Sequence, residues 1–203
     1  MNMNLKPVIA VCMILVVSVS YASEGFYIGV NVGQAKYDTT LSDFAVLDDG
    51  SISTPTIKDK AFGYSFALGY QPTRYFSFEG GYIDLGEFSV SGISDGSGSL
   101  YAPGKVTVDA VTDGWFIDLK GQIPIYKELS LSGKLGYLMW DTEVTLSDSG
   151  RSASARVDDN DTFYGLGVSI KLDNVVVLNL DYTFYKVGDL DIDLISAGLQ
   201  YGF

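Results

Sequence analysis

The sequence predicts an all-β protein, an eight-stranded antiparallel up-and-down transmembrane β-barrel, on three observations. Eight stretches alternate residue by residue between two kinds of side chain, the period-2 signature of strands, with no convincing helical periodicity between them. The connections alternate as well, short turns on one side and long polar segments on the other, the pattern of a barrel crossing an outer membrane. In the clearest stretches a large apolar row stands against a small and polar row. That contrast assigns the apolar row to lipid and the small row to a narrow interior.

Ahead of the first strand, residues 1–22 are expected to be a cleaved secretory signal peptide. Lys6 supplies the positive start, 7–19 is a 13-residue apolar run, and Ser20-Tyr21-Ala22 puts small residues at both recognition positions of a cleavage site. Thirteen residues fall short of the ~20 a transmembrane helix needs. Cys12, mid-run behind Val11, is not placed for lipidation. Residues 23–203 then form one barrel domain carrying 12 bases and 25 acids, a net charge of −13, with neither cysteine nor histidine. Such acidity excludes nucleic acid as a partner.

The strands are expected at about 25–35, 61–71, 75–85, 108–123, 128–141, 162–172, 175–186 and 192–203. Pro72-Thr73-Arg74, residues 124–127 and Asp173-Asn174 are the short turns. The segments 36–60, 86–107 and 142–161, rich in Gly, Ser, Asp and Thr, are expected as long outer loops. The first strand sets Phe26, Ile28, Val30 and Val32 against Tyr27, Gly29, Asn31 and Gly33. The second sets Phe62, Tyr64, Phe66, Leu68 and Tyr70 against Gly63, Ser65, Ala67, Gly69 and Gln71, and the seventh sets Leu178, Leu180 and Tyr182 against Asn179, Asp181 and Thr183. A soluble barrel would turn the apolar row inward. Tyr70, Tyr75, Phe76, Tyr126, Tyr201 and Phe203 gather at the turn side, where an interfacial girdle belongs. The last strand alternates to the final residue because it must close the barrel against the first.

The hairpin "ALGYQPTRYFSFEGGYIDLG" resembles the second and third strands of the OmpA-type transmembrane domain. "GFYIGVNVGQAKYD" is similar to its first strand and "SLSGKLGYLMW" to its fifth. The resemblance spans 25–203 and implies an outer-membrane barrel of a Gram-negative cell, inserted by the barrel-insertion machinery through a C-terminal signal at Tyr201 and Phe203. It also implies a lumen charge cluster able to plug or gate, here Glu79, Lys120, Lys134 and Asp181. Asn31, Ser169 and Asn179 stand where the family carries further charges. OmpA continues into a peptidoglycan-binding domain, and this chain stops at the barrel, so no anchoring to the cell wall is implied. Gly63, Gly69, Gly81 and Gly136, on the inward row, leave room for water and keep a pore in play.

Barrel enzymes that cut lipids or peptides use imidazole as general base, and a chain without histidine cannot assemble such a site; activation of a serine by lysine stays formally open, with no Ser-x-x-Lys in a credible setting. No enzyme and no cofactor are expected. Asp48 and Asp49, with Asp158, Asp159 and Asp161, are clusters of hard oxygen donors without EF-hand spacing; they read first as solvated loop tips, and as the alternative they would hold a divalent cation bridging to lipopolysaccharide. The leading functional expectation is a structural or surface-interaction role with acidic outer loops, embedded in outer-membrane lipid and lipopolysaccharide. The alternatives are a small passive pore gated by the interior charges, and an adhesin or receptor acting through the loops on an unnamed surface ligand.

Overall fold

The computed structural model describes residues 25–39 and 50–203. The signal segment 1–22, together with Asp48 and Asp49, lies outside them. The described residues form nine strands: β1 (Gly25–Asp38), β2 (Ile52–Lys58), β3 (Lys60–Thr73), β4 (Phe76–Ser94), β5 (Gly104–Pro124), β6 (Leu129–Asp148), β7 (Arg151–Lys171), β8 (Val176–Val187) and β9 (Leu190–Gly202). Eight of them close a ring in the order β1-β3-β4-β5-β6-β7-β8-β9, each antiparallel to its neighbours. β9 returns to β1 over twelve residue pairs, from Tyr27 opposite Gly202 to Asp38 opposite Asp191. The Phe203 N–H donates to the Phe26 carbonyl at 3.0 Å, so the closing strand is tied to its last residue.

The alternation resolves into two faces as expected. Phe26, Ile28, Val30 and Val32, and likewise Phe62, Phe66, Leu68 and Tyr70, are exposed on the outside, while Tyr27, Ser65, Asn179, Asp181 and Thr183 are buried inside. Large apolar groups left bare over this height make sense only against lipid. Tyr70, Tyr75, Phe76, Tyr126, Tyr201 and Phe203 are all exposed at the turn end.

The long polar segments depart from expectation. Residues 142–161 are a continuous hairpin, β6 and β7 pairing without a break to Asp148 opposite Arg151 across the two-residue turn Ser149-Gly150. In 86–107, β4 runs on to Ser94 and β5 starts at Gly104, leaving a short crossing. Within 36–60, β2 lies end to end with β3 along the same edge of β4. The reason is physical: above the membrane the outward row no longer needs apolar groups, so strands persist after the lipid-facing half of their signature has gone. The fourth outer connection, Gly188-Asp189, is a tight turn. The outer wall is therefore tall along β4–β7 and low at β8–β9.

Candidate functional site

Three layers fill the barrel from the turn side outward. The first is an open vestibule of ≈ 850 Å³ whose polar lining includes Gln71, Gln122, Ser130, Ser169, Asn174 and Gln200. A polar layer follows. The Tyr27 hydroxyl donates to Glu79 Oε1 at 2.5 Å, and Lys120 Nζ lies 3.7 Å from the same oxygen, with both charged side chains nearly solvent-free. Asn31 Nδ2 donates to Ser65 Oγ at 3.0 Å, and Asn179 Nδ2 donates to Asn31 Oδ1 at 2.6 Å and to Asp181 Oδ2 at 2.7 Å. Asn31 and Asn179, the two asparagines expected at positions of charge, thus meet each other in a short chain of amides.

The expected cluster is only partly assembled. Glu79 and Lys120 pair, whereas Asp181 is held by Asn179. Lys134 sits directly opposite Lys120 across β5 and β6, in none of the ion pairs of the described residues. Asp118 is a member that sequence reasoning missed. It is buried, directly opposite Glu79, and its Oδ1 has no hydrogen-bond partner. Its signal was parity alone, since it lies two residues before the inward Lys120. With Asp118 this polar layer brings together three carboxylates and two ammonium groups. Like charges stand side by side on two successive rungs, Glu79 beside Asp118 and Lys120 beside Lys134, so attraction acts between rungs rather than along them.

The third layer, toward the outer side, is apolar. Tyr37, Ile83, Leu85, Phe88, Phe116, Leu138, Trp140, Phe163, Tyr185, Ile192 and Leu194 form one buried cluster across the lumen. Phe116 and Phe163 meet edge to face at 6.0 Å between centroids, and Phe163 and Tyr185 lie tilted to one another at 5.0 Å. Two of the inward glycines, Gly69 and Gly136, lie against aromatic rings. A Cβ on Gly69 would fall 2.1 Å from the Tyr27 ring, and one on Gly136 would fall 2.3 Å from Phe163. Trp140 Nε1 and the Gly188 N–H both donate to Asp161 Oδ2, at 3.0 and 2.9 Å, which ties β7 to the low β8–β9 turn over this layer.

The outer aspartates are dispersed by the strand they share. Asp158 points to the outer face of β7, and Asp159 and Asp161 to the inner. Asp161 is engaged as above, and Asp159 accepts from the Asn160 N–H at 2.8 Å. No group of three acidic, histidine or cysteine side chains able to hold a metal ion occurs among the described residues. Tyr201 and Phe203 are both exposed, Tyr201 directly opposite Ile28. A second aromatic belt, unnoticed in the sequence, marks the outer boundary of the apolar band. Tyr82 donates to Asp113 at 2.8 Å, Tyr182 to Asp193 at 2.6 Å, and Tyr137 to Asn160. Each ring lies at lipid level while its hydroxyl reaches a polar partner beyond it.

Comparison with known proteins agrees with this architecture. The family model for the OmpA-like transmembrane domain matches residues 21–203. Outer membrane protein A of Serratia marcescens is 30% identical over 190 residues, covering 88% of this chain and 49% of that protein, so the chain spans about half the length of this relative. Among solved structures, Ail of Yersinia pestis superposes with a TM-score of 0.53 at 18% identity, covering 89% of this chain and 99% of that one. Neisserial surface protein A superposes with a TM-score of 0.54 at 17% identity, covering 88% and 97%. Those two likenesses are of fold. With the ring of eight strands, the lipid-facing rows and the family match in hand, the chain belongs to the OmpA-like transmembrane domain family and is an outer-membrane β-barrel.

Proposed function

We propose that this protein is a plugged, non-enzymatic barrel whose working surface is the set of strands projecting from the membrane. The single observation that carries this reading is the apolar layer. Eleven large side chains form one buried cluster in the outer half of the lumen, and polar groups beside them are engaged, Thr112 with Thr142 at 2.9 Å and the Tyr37 hydroxyl with the Leu85 and Gly86 carbonyls. An ion crossing such a layer would lose its hydration without replacement, at a cost far above thermal energy. The absence of histidine supports a non-enzymatic role. Export by cleavage after residue 22, insertion through the strand ending at Tyr201 and Phe203, and contact of the outer tyrosine belt with lipopolysaccharide belong to the same reading.

The test is conductance of refolded residues 23–203 in a planar bilayer, beside Lys120→Ala. A silent membrane with correctly inserted protein is expected for both. Discrete channels whose size or open time changes with Lys120→Ala would overturn the reading and make the charge layer a gate. If the barrel is silent, function rests with the projecting strands, in a structural, adhesive or receptor role.

A further inference from the structure

The projecting wall has two edges, and they are treated differently. At one edge, β2 is interrupted: Pro55 lacks an N–H, Thr54 takes a positive φ of 50°, and the register with β4 shifts between Ser53 and Thr56. These devices keep an edge from recruiting another strand. The other edge is the upper part of β7. Its register with β6 is unbroken from Arg151 to Ile170, but β8 pairs only with 163–171. Residues 151–160 are exposed at every position, contain no proline or bulge, and have β6 on one side and no described strand on the other. Such a row of open N–H and C=O groups is a template for an added strand.

The segment reads Arg151-Ser-Ala-Ser-Ala155-Arg-Val-Asp-Asp159, and it is complementary to itself when reversed about Ala155. Antiparallel pairing in that register sets Arg151 opposite Asp159, Ser152 opposite Asp158, Ala153 opposite Val157 and Ser154 opposite Arg156, each twice. Opposed residues share a face, so two ion pairs flank an apolar centre on the inner face and hydroxyls meet charge on the outer. Arg156 keeps its own partners within the sheet, Asp141 at 3.0 Å and Glu143 at 3.3 Å. Moving the two-fold by one residue, to Arg156, would set that arginine against itself.

We infer that the free edge of β7 binds the same edge of a second copy of this chain, standing in a facing membrane. The facing arrangement follows from direction. Every β7 in one membrane descends from the outside toward the turn side. Two copies related by a two-fold along the membrane normal therefore present edges of the same sense. An antiparallel pair needs the two-fold in the membrane plane, which places the copies on opposed surfaces. One such contact is small and exposed, hence weak in solution. Many in parallel between two membranes make a strong junction. The inference rests on the reading that the projecting strands are the working surface, and it names their partner.

The test uses phosphatidylcholine vesicles carrying the refolded protein, with clustering followed by light scattering. Wild-type vesicles are expected to cluster, and less so as salt rises. Arg151→Asp vesicles alone, and Asp159→Arg vesicles alone, oppose like charges and are expected to need at least roughly tenfold more protein per vesicle to cluster, a factor worth about 1.4 kcal/mol. Mixed together, the two populations regain complementary pairs and are expected to cluster as wild type does. Recovery in the mixture also establishes that both variants are folded. Dispersed wild-type vesicles, or a mixture no better than either variant alone, would overturn the inference. Bilayer silence is measured separately, so failure here leaves the plugged-barrel reading standing.

Discussion

At the scale of residues, Lys120 and Glu79 show what a charge inside a barrel costs and what it needs. Their side chains are 4% and 9% exposed, so removing one partner strands the other in a site from which water is excluded. Lys120→Met is expected to destabilise by about 3–5 kcal/mol, read from urea unfolding in lipid vesicles. Glu79→Gln/Lys120→Met should regain most of that loss, and equal losses in the two variants would mean that the pair is not coupled. Gly69→Ala brings a Cβ against the Tyr27 ring and is expected to cost about 1–3 kcal/mol by overpacking. The loss should shrink when Tyr27→Ala is added. Asp173, in the turn between β7 and β8, accepts from the Val175 and Val176 N–H groups at 2.7 and 2.8 Å, and these bonds hold its carboxyl below the ordinary value. A depressed carboxyl contributes stability that is full above its unfolded value of about 3.9 and is lost as pH falls through the folded one. Asp173→Asn should therefore flatten the acid limb of a stability–pH curve, and an unchanged limb would exclude this turn as a contributor. Asp181 was placed on the inward row by alternation, and Glu79, Lys120 and Lys134 came from the resemblance to the family. Asp118 carried the same parity as Lys120, but it matches no charge of the resembled family, so resemblance passed over it.

At the scale of elements, the eight crossings were legible wherever lipid makes one row apolar, and illegible where it does not. β6 and β7 continue beyond the membrane with Glu143, Thr145, Ser147, Ser152 and Ser154 on the outer face, a composition shared with loops. Only cross-strand pairing distinguishes it, and pairing is not written in one segment alone. The hairpin above the membrane should then be dispensable to the barrel. Replacing 144–155 with Asn-Gly joins Glu143 to Arg156, already directly opposite one another, through a favoured two-residue turn. The shortened chain is expected to insert with an unfolding midpoint close to wild type while losing vesicle clustering. Failure to insert would make the hairpin part of the folding unit instead.

At the scale of the whole molecule, the barrel is a wall built for lipid around a core built like that of a soluble protein. The apolar plug was hidden in the sequence by its own surroundings. Trp115 and Phe116, Phe163 and Tyr164, and Phe184 and Tyr185 are neighbours on opposite faces, so alternation loses its contrast where both lipid and lumen are apolar. Of the inward glycines read as room for water, Gly69 and Gly136 instead border space that Tyr27 and Phe163 occupy. On the plugged reading, the apolar layer separates the open vestibule at the turn side from the outer side. Residues 23–203 contain no cysteine, so one can be introduced without background. The decisive measurement is labelling of Ser130→Cys, in the vestibule, by a membrane-impermeant thiol reagent added outside protein-bearing vesicles. The labelled molecules should be those whose turn side faces out, recognised because their projecting hairpins are shielded from added protease. Equal labelling of both orientations would mean a continuous aqueous path through the barrel, and would contradict the plug.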